Sequence, residues 1–569
     1  MIPTRIRLLS RSFTTFTNEK PWYITTPIFY PNASPHIGHL YSLVTADIFA
    51  RYHRLENPDR PVHFVTGTDE HGSKIQKAAM MRGMEPRTFC DEISEHFRRL
   101  AKGANISHTT FIRTSEERHL NTVHHVWRQL ESKNLIYRGT YTGWYSITDE
   151  CFYTDSQVIH PSPQSEESTP ISKETSSPVE FTQETNYMFR LSSLQDKLLS
   201  HFLANPDFIY PSNYPEDIIH SLKNEPLQDI SISRPRSRVK WGVEVPGDPE
   251  HTVYVWVDAV LSYLTGIGYP WNGVRKHEDM GGWPVDLQVI GKDIVRFHAI
   301  YLPAILLALE LPLQTRILAH AHWTSSQKKM SKSLGNTTDP FQAIEEFGLD
   351  SVRWYLTRVG GKFRDDVDWS HDQLSKHHKE FQSLLGNFFL RVTSNTILKR
   401  VQDAQTMLKQ ADTDQAVPIS NQETKNWFQD MVSLQQETNK YRAAYADLLE
   451  ATTVLPDKIT QNLRKLDVAD AMEEIVDVLR IANRSLSDVA PWSPSSSSCA
   501  ALVTAEACLE TLRVVGICLQ PFAPDVAGRL LDALGVEERT WMASKKRGTL
   551  NVHDVKGVKL FRNEKDRVL

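Results

Sequence analysis

The sequence predicts an α/β fold: a parallel-sheet domain interrupted by an inserted connective domain and followed by an α-helical bundle. Three observations carry that expectation. Strand and helix signals alternate from Trp22 onward, the pattern of a parallel sheet with right-handed crossovers. A Ser-, Pro- and Glu-rich stretch from Pro161 to Pro178 breaks the alternation. From about Ser375 the apolar residues recur at helical spacing.

Residues 1–19 precede the pattern. They carry Arg5, Arg7 and Arg11, their first acid is Glu19, and Ile6, Leu8, Leu9 and Phe13 could share one side of a helix. That composition fits a mitochondrial transit peptide; the alternative is a basic terminus with no address. Residues 22–30, rich in aromatic and β-branched side chains and bounded by Pro31, Asn32 and Pro35, read as a buried strand. His39 to Arg54 reads as a helix with Leu40, Leu43, Val44, Ile48 and Phe49 on one face. Residues 61–69 give a second strand and Ile75 to Gly83 a second helix. These elements make residues 20–138 the first half of the sheet domain.

Residues 139–241 form the insert, with 161–178 read as a disordered loop. The α/β pattern resumes in 242–325, at Thr252–Val260 and Asp286–Asp293. A basic loop opens the segment 326–374. The helical bundle takes 375–569, with periodic runs at Phe381–Val392 and Asp470–Leu486 and a Pro/Ser loop at Pro491–Ser498.

The 569 residues suffice for three to five domains. At 40% apolar and 23% charged they have the balance of a globular protein. The net charge of −5 does not announce a nucleic-acid partner, although binding follows the local field of a patch rather than the sum over the chain. None of the five cysteines is paired as C-x-x-C, which argues against a zinc site and a disulfide scaffold. Apolar runs such as Ile300–Leu309 are shorter than the ~20 residues of a membrane span, so no membrane partner is expected.

Two motifs carry chemistry. His36-Ile37-Gly38-His39 follows a strand and opens a helix, where free backbone N–H groups and the dipole suit a phosphate. Gly38 permits close approach. Lys329-Met330-Ser331-Lys332-Ser333 alternates compact cations with hydroxyls, suited to a departing phosphate. Either motif alone could be a polar helix start or a solvated loop.

Together they resemble the signatures of the class I aminoacyl-tRNA synthetases. The stretches Thr26–Asn32, Gly67–Gly72, Val255–Ala259 and Gly291–His298 are similar to the methionyl branch of that family, and the resemblance runs from about Pro21 to Pro524. It implies a Rossmann-like catalytic domain that joins methionine to ATP, with Mg²⁺ accompanying the nucleotide, and charges tRNA(Met). His36 and His39 would hold phosphate oxygens, and Lys329 and Lys332 would close over the β- and γ-phosphates. Gly38, Ser331 and Ser333 would also meet ATP, and Gly291, Lys292 and Asp293 the adenosine. Ile28, Trp256, Ala259, Tyr263, Ile294 and His298 would line an adaptable pocket for the thioether, and Asp69 would take the ammonium. Asn387 and Arg391, four apart on one helix face, and Trp492 would read the anticodon by edge hydrogen bonds and stacking. A monomer working in the mitochondrial matrix is expected.

The sequence departs from many methionyl enzymes in one respect. Where they carry zinc knuckles of four cysteines, Tyr141–Cys151 holds only Cys151, and a zinc site needs about four N/S ligands. No zinc is expected. The basic run Arg234, Arg236, Arg238 and Lys240 is read either as facing ATP or the acceptor stem, or as an exposed charged turn. The insert is too short for the editing domain of roughly 200 residues found in synthetases for leucine, isoleucine and valine, where pocket discrimination between aliphatic side chains is limited. An inactive RNA-binding relative would not need His36, His39, Lys329 and Lys332 together.

Overall fold

The computed structural model describes residues 19–147, 151–161, 169–173, 176–271, 281–330, 336–413, 436, 439–547 and 558–561. The leader 1–18 therefore lies outside the described residues.

The central sheet has six strands, all parallel. Strands β1 (Trp22–Phe29), β2 (Val62–Thr68) and β3 (Thr110–Arg113) form one half. Leu287–Gly291, Ile317–His320 and the short Ile209–Tyr210 form the other. The spatial order is β3, β2, β1, then Leu287–Gly291, Ile317–His320 and Ile209–Tyr210. Strand order reverses between β1 and Leu287–Gly291, and at such a switch point the crevice beyond the carboxyl ends binds ligands.

Both faces of the sheet are covered, so its strands read as apolar runs rather than alternations. Trp22, Ile24, Phe64 and Leu318 pack on one face against α1 (Ile37–Glu56) and α3 (Pro86–Gly103). Tyr23, Val65, Ile290 and Ile317 pack on the other against α4 (Glu117–Ser132) and the apolar residues of the insert. The first of these cores continues without a break into the helical part, through Trp354, Phe381, Phe389, Leu479 and Leu512.

Three local expectations are corrected. Helix α1 begins at Ile37, two residues before the predicted start, because His36 supplies its cap; it ends at Glu56. The second helix, α2, spans Ser73–Met81. The Ser/Pro-rich loop is partly ordered: Ile171–Ser172 pairs antiparallel with Val158–Ile159, and Ser172 is buried. Residues 162–168 and 174–175 lie outside the described residues.

The insert has its own four-stranded antiparallel sheet, centred on Ile136–Ser146 against Glu180–Phe189. It also lends Ile209–Tyr210 to the edge of the central sheet. The helical part runs from His371–Phe381 through Asn395–Thr413, Ala446–Arg464, Val468–Val489 and Ser498–Leu519 to Pro524–Ala533. The Pro/Ser stretch is a loop between the last two long helices, and Ser497 caps the second of these by accepting from the Ala500 N–H.

A buried ion pair joins the sheet domain to the helices. Asp47 on α1 meets Arg353 of the helix Leu349–Gly360 at 2.8 Å, with both side chains fully buried. Arg353 also donates to the carbonyls of Phe522 and Pro521 at 3.0 and 2.9 Å. Burial pushes the Asp47 carboxyl up, but Arg353, Arg51 and Ser107 outweigh it and hold the group below the usual carboxylate range.

Candidate active site

At the switch point the carboxyl ends of the strands surround a cavity of about 530 Å³. Its floor is the start of α1. There the His36 ring Nδ1 accepts from the Gly38 N–H at 3.0 Å, and the His36 N–H donates to His39 Nδ1, also at 3.0 Å. Two imidazoles thus cap the helix reciprocally, and with both Nδ1 atoms accepting, the ring protons are assigned to Nε2. A Cβ on Gly38 would stand 2.9 Å from the His36 ring, so the cap needs glycine there. The rings lie 4.0 Å apart, and His39 packs edge-on to Phe29 and Phe97. This floor presents neutral donors and a helix N-terminus, the chemistry that receives a phosphate.

One wall is apolar. Ile28, Trp256, Ala259, Tyr263, Ile294 and His298 all face the cavity. The Trp256 ring lies flat on Phe297, with centroids 3.8 Å apart. Tyr263 donates to His298 Nε2 at 2.8 Å, and His298 Nδ1 donates to the Ile294 carbonyl at 2.9 Å. Burial lowers the His298 pKa to about 4, so the ring is neutral and its tautomer fixed. Burial, reinforced by the Asp69 charge, raises that of Tyr263. Asp69, buried beyond the end of β2, brings a carboxylate to the same cavity.

The opposite wall is the end of Leu287–Gly291. Gly291 and Asp293 line the cavity, and a Cβ on Gly291 would fall 2.8 Å from Asp293 Oδ1. Lys292 points elsewhere. Its ammonium pairs with Asp366 at 2.7 Å and faces a second cavity of about 1060 Å³ toward the insert, which Asp293 also lines.

Several residues here had no sequence signal. His320 and His322 line the cavity. His320 Nε2 meets Ser42 Oγ at 2.8 Å, and burial lowers its pKa to about 4. His322 stands 3.5 Å from Asp293. Behind the apolar wall, Asp258 receives His71 Nδ1 at 2.7 Å and His119 Nε2 at 2.8 Å. Burial pushes the Asp258 carboxyl up, but the two imidazoles outweigh it and leave the pKa at about 2. Glu70, fully buried beside Asp69, is gripped by the Arg113 guanidinium at 2.6 and 2.9 Å. These partners lie tens of residues apart, and only the fold brings them together.

The lysine motif begins on a hairpin. Trp323–Ser325 pairs antiparallel with Lys328–Lys329 across a turn in which Ser326 and Gln327 have φ of 54° and 60°. Met330 follows, buried, and lines the same cavity as His36. Lys329 is in the hairpin strand; Ser331, Lys332 and Ser333 lie outside the described residues.

The basic run divides: Arg236 and Lys240 are exposed, as a charged turn would be, whereas Arg234 is not. Arg234 is buried, with its guanidinium 4.2 Å from the Tyr254 ring centre, 5.1 Å from Phe152 and 5.5 Å from Tyr145. It sits in the strand Ser233–Pro235, paired with Thr252. Arg236 and Arg238 pair with Glu244 and Glu184. Among the described residues no group of three or more His, Cys, Asp or Glu side chains is placed to hold a metal ion. No helix among them is long and apolar enough to cross a membrane.

A second candidate surface lies in the helical part. Asn387 is exposed, and the Arg391 guanidinium lies 4.9 Å over the Trp492 ring. Trp492 is 39% exposed. Arg391 also donates to Ser487 Oγ at 3.0 Å, and Arg400 donates to the Pro491 carbonyl at 2.6 Å. An exposed aromatic ring with a guanidinium on its face is a stacking platform for a single-stranded base.

Residues 22–393 match the family model described as "tRNA synthetases class I (M)", and residues 436–559 match "Anticodon binding domain of methionyl tRNA ligase". A Neurospora crassa protein named probable mitochondrial methionine–tRNA ligase is 41% identical over 541 residues, covering 93% of this chain and 83% of the relative. The human mitochondrial methionine–tRNA ligase is 39% identical, covering 90% and 84%. A crystal structure of the Mycobacterium tuberculosis methionyl-tRNA synthetase, bound by methionyl-adenylate, superposes with a TM-score of 0.79 at 34% identity, covering 95% of this chain and 100% of that one.

Proposed function

The chain belongs to the methionyl branch of the class I tRNA synthetases, and we propose that its cavity activates L-methionine with ATP and passes it to the 3′ end of tRNA(Met) for mitochondrial translation. One observation carries the reading. The neutral imidazole cap of α1, the thioether-tolerant wall and the root of the lysine hairpin all open on a single cavity.

In this reading the methionine ammonium meets Asp69, and its side chain lies among Ile28, Trp256, Ala259, Tyr263, Ile294 and His298. The Tyr263–His298 pair offers a polar edge to a weak sulfur acceptor without adding charge. Gly291 and Asp293 receive the adenosine, with Lys292 acting through the adjoining turn. His36, Gly38 and His39 hold the phosphates. The carboxylate oxygen of methionine attacks the α-phosphorus of ATP, an O–P bond forms as the bond to pyrophosphate breaks, and charge builds on the leaving group. Lys329 and Lys332, with Ser331 and Ser333, stabilise that charge. Such transfers depend on positioning and electrostatics. ATP enters as its magnesium complex. Asn387, Arg391 and Trp492 read the anticodon.

The working unit is taken to be a monomer. The insert is read as zinc-free because Tyr141–Cys151 carries a single thiol; metal analysis finding one zinc per chain overturns that part. The leader 1–19 directs the protein to the mitochondrial matrix, and fusion of those residues to a reporter, scored for import, tests it. The function itself is tested by ATP–pyrophosphate exchange with each of the twenty amino acids. Exchange supported by methionine alone is expected; exchange with another amino acid, or with none, overturns the proposal.

A further inference from the structure

We propose that Asp258 is the positioning residue that holds the two halves of the amino-acid pocket in register. The inference deepens the methionine reading above and rests on it.

The pocket is assembled from two distant pieces of chain. The loop after β2 brings Asp69, and the short helix Val255–Val260 brings Trp256 and Ala259. Asp258 stands between those last two in sequence yet does not line the cavity. It is fully buried behind them. One carboxylate oxygen receives His71, two residues after Asp69, at 2.7 Å. The other receives His119, on α4, at 2.8 Å. His119 Nδ1 in turn meets Thr265 Oγ1 at 2.8 Å, just beyond Tyr263. The loop is also held from its far side: the Gly72 N–H donates to the Trp241 carbonyl at 3.0 Å, and the Trp241 ring stands edge-on to His71 at 5.4 Å.

A buried carboxylate is expensive unless paired and fully hydrogen-bonded. Here both partners are imidazoles: His71 on the loop that bears Asp69, and His119 on α4, which lies behind the pocket. The bracket therefore fixes how far the ammonium site stands from the side-chain wall. The phosphate floor at His36 and His39 hangs from α1 and receives none of these hydrogen bonds. Loosening Asp258 should then damage methionine binding and leave ATP binding alone. A residue that only stabilised the fold would move neither constant, or both.

The test is pyrophosphate exchange by the full chain carrying Asp258→Asn, whose amide is nearly isosteric but cannot accept from both imidazoles. The expected result is a methionine KM raised about tenfold or more, an ATP KM unchanged, and cooperative melting. A methionine KM at the wild-type value, or equal rises in both constants, overturns the inference. Should Asp258→Asn fail to fold, His119 decides. His119→Gln keeps an N–H donor toward Asp258 and is expected to retain the wild-type methionine KM, while His119→Ala reproduces the selective loss. Equal behaviour of the two variants overturns it. Methionine-independent wild-type enzyme would instead sink the functional reading.

Discussion

His298 shows what burial does to a single side chain. Its neighbours fix one tautomer, with Nδ1 donating to the Ile294 carbonyl and Nε2 accepting from Tyr263. Tyr263→Phe removes that donor at nearly constant volume. A methionine KM raised several-fold, by about 1 kcal/mol of lost hydrogen bonding, is expected with the ATP KM unchanged, and steady-state kinetics measure both. Two of the buried imidazoles, His298 and His320, also set a pH dependence. Each has a folded pKa of about 4, below the unfolded value of about 6.5. Between those limits the unfolded chain binds protons that the folded chain does not, so this contribution is complete above pH ~6.5 and is lost as pH falls toward ~4. Urea midpoints should fall from pH 7 to pH 5, and less steeply in a His298→Gln, His320→Gln double variant. An unaltered slope would contradict the assignment. At this scale the sequence was legible where a motif fixes spacing, as in His36-Ile37-Gly38-His39, and opaque where orientation decides. Lys292 and Asp293 are adjacent, yet only Asp293 reaches the cavity of His36, and the burial of Arg234 was hidden because the rings around it lie in three other segments.

At the scale of elements, periodicity placed β1, α1 and β2 to within a few residues, because long buried strands and amphipathic helices leave strong patterns. It could not place Ile209–Tyr210 in the central sheet, since two residues carry no pattern and the partner Ile317–Leu318 is over a hundred positions away. Two elements yield predictions. The hairpin before Met330 opens the lysine motif. Lys332→Ala should slow methionine activation by roughly 100-fold or more while sparing methionine affinity, because contacts made in the transition state govern kcat; an unchanged exchange rate refutes the role. The loop bearing Trp492 presents its ring beside Arg391. Trp492→Ala should cut tRNA charging by about 1–3 kcal/mol of lost stacking and leave pyrophosphate exchange intact. Equal damage to both steps would put Trp492 in the fold rather than on the tRNA.

For the whole molecule, the ion pair Asp47–Arg353 and the unbroken core make the sheet domain and the helices one packed body. Asp47→Asn leaves a guanidinium buried with only carbonyl partners. A loss of about 3 kcal/mol is expected, read as a lowered denaturation midpoint, with pyrophosphate exchange and tRNA charging falling together; a loss below about 1 kcal/mol would show that the carbonyls alone satisfy Arg353. The sequence announced a helical tail but not this fusion, since Arg353 carries no mark that separates it from a surface arginine. The fusion turns the protein into a gauge. The cavity and the Trp492 surface ride on that one body, so any partner touching both would have to match a spacing set by the core and not by a hinge.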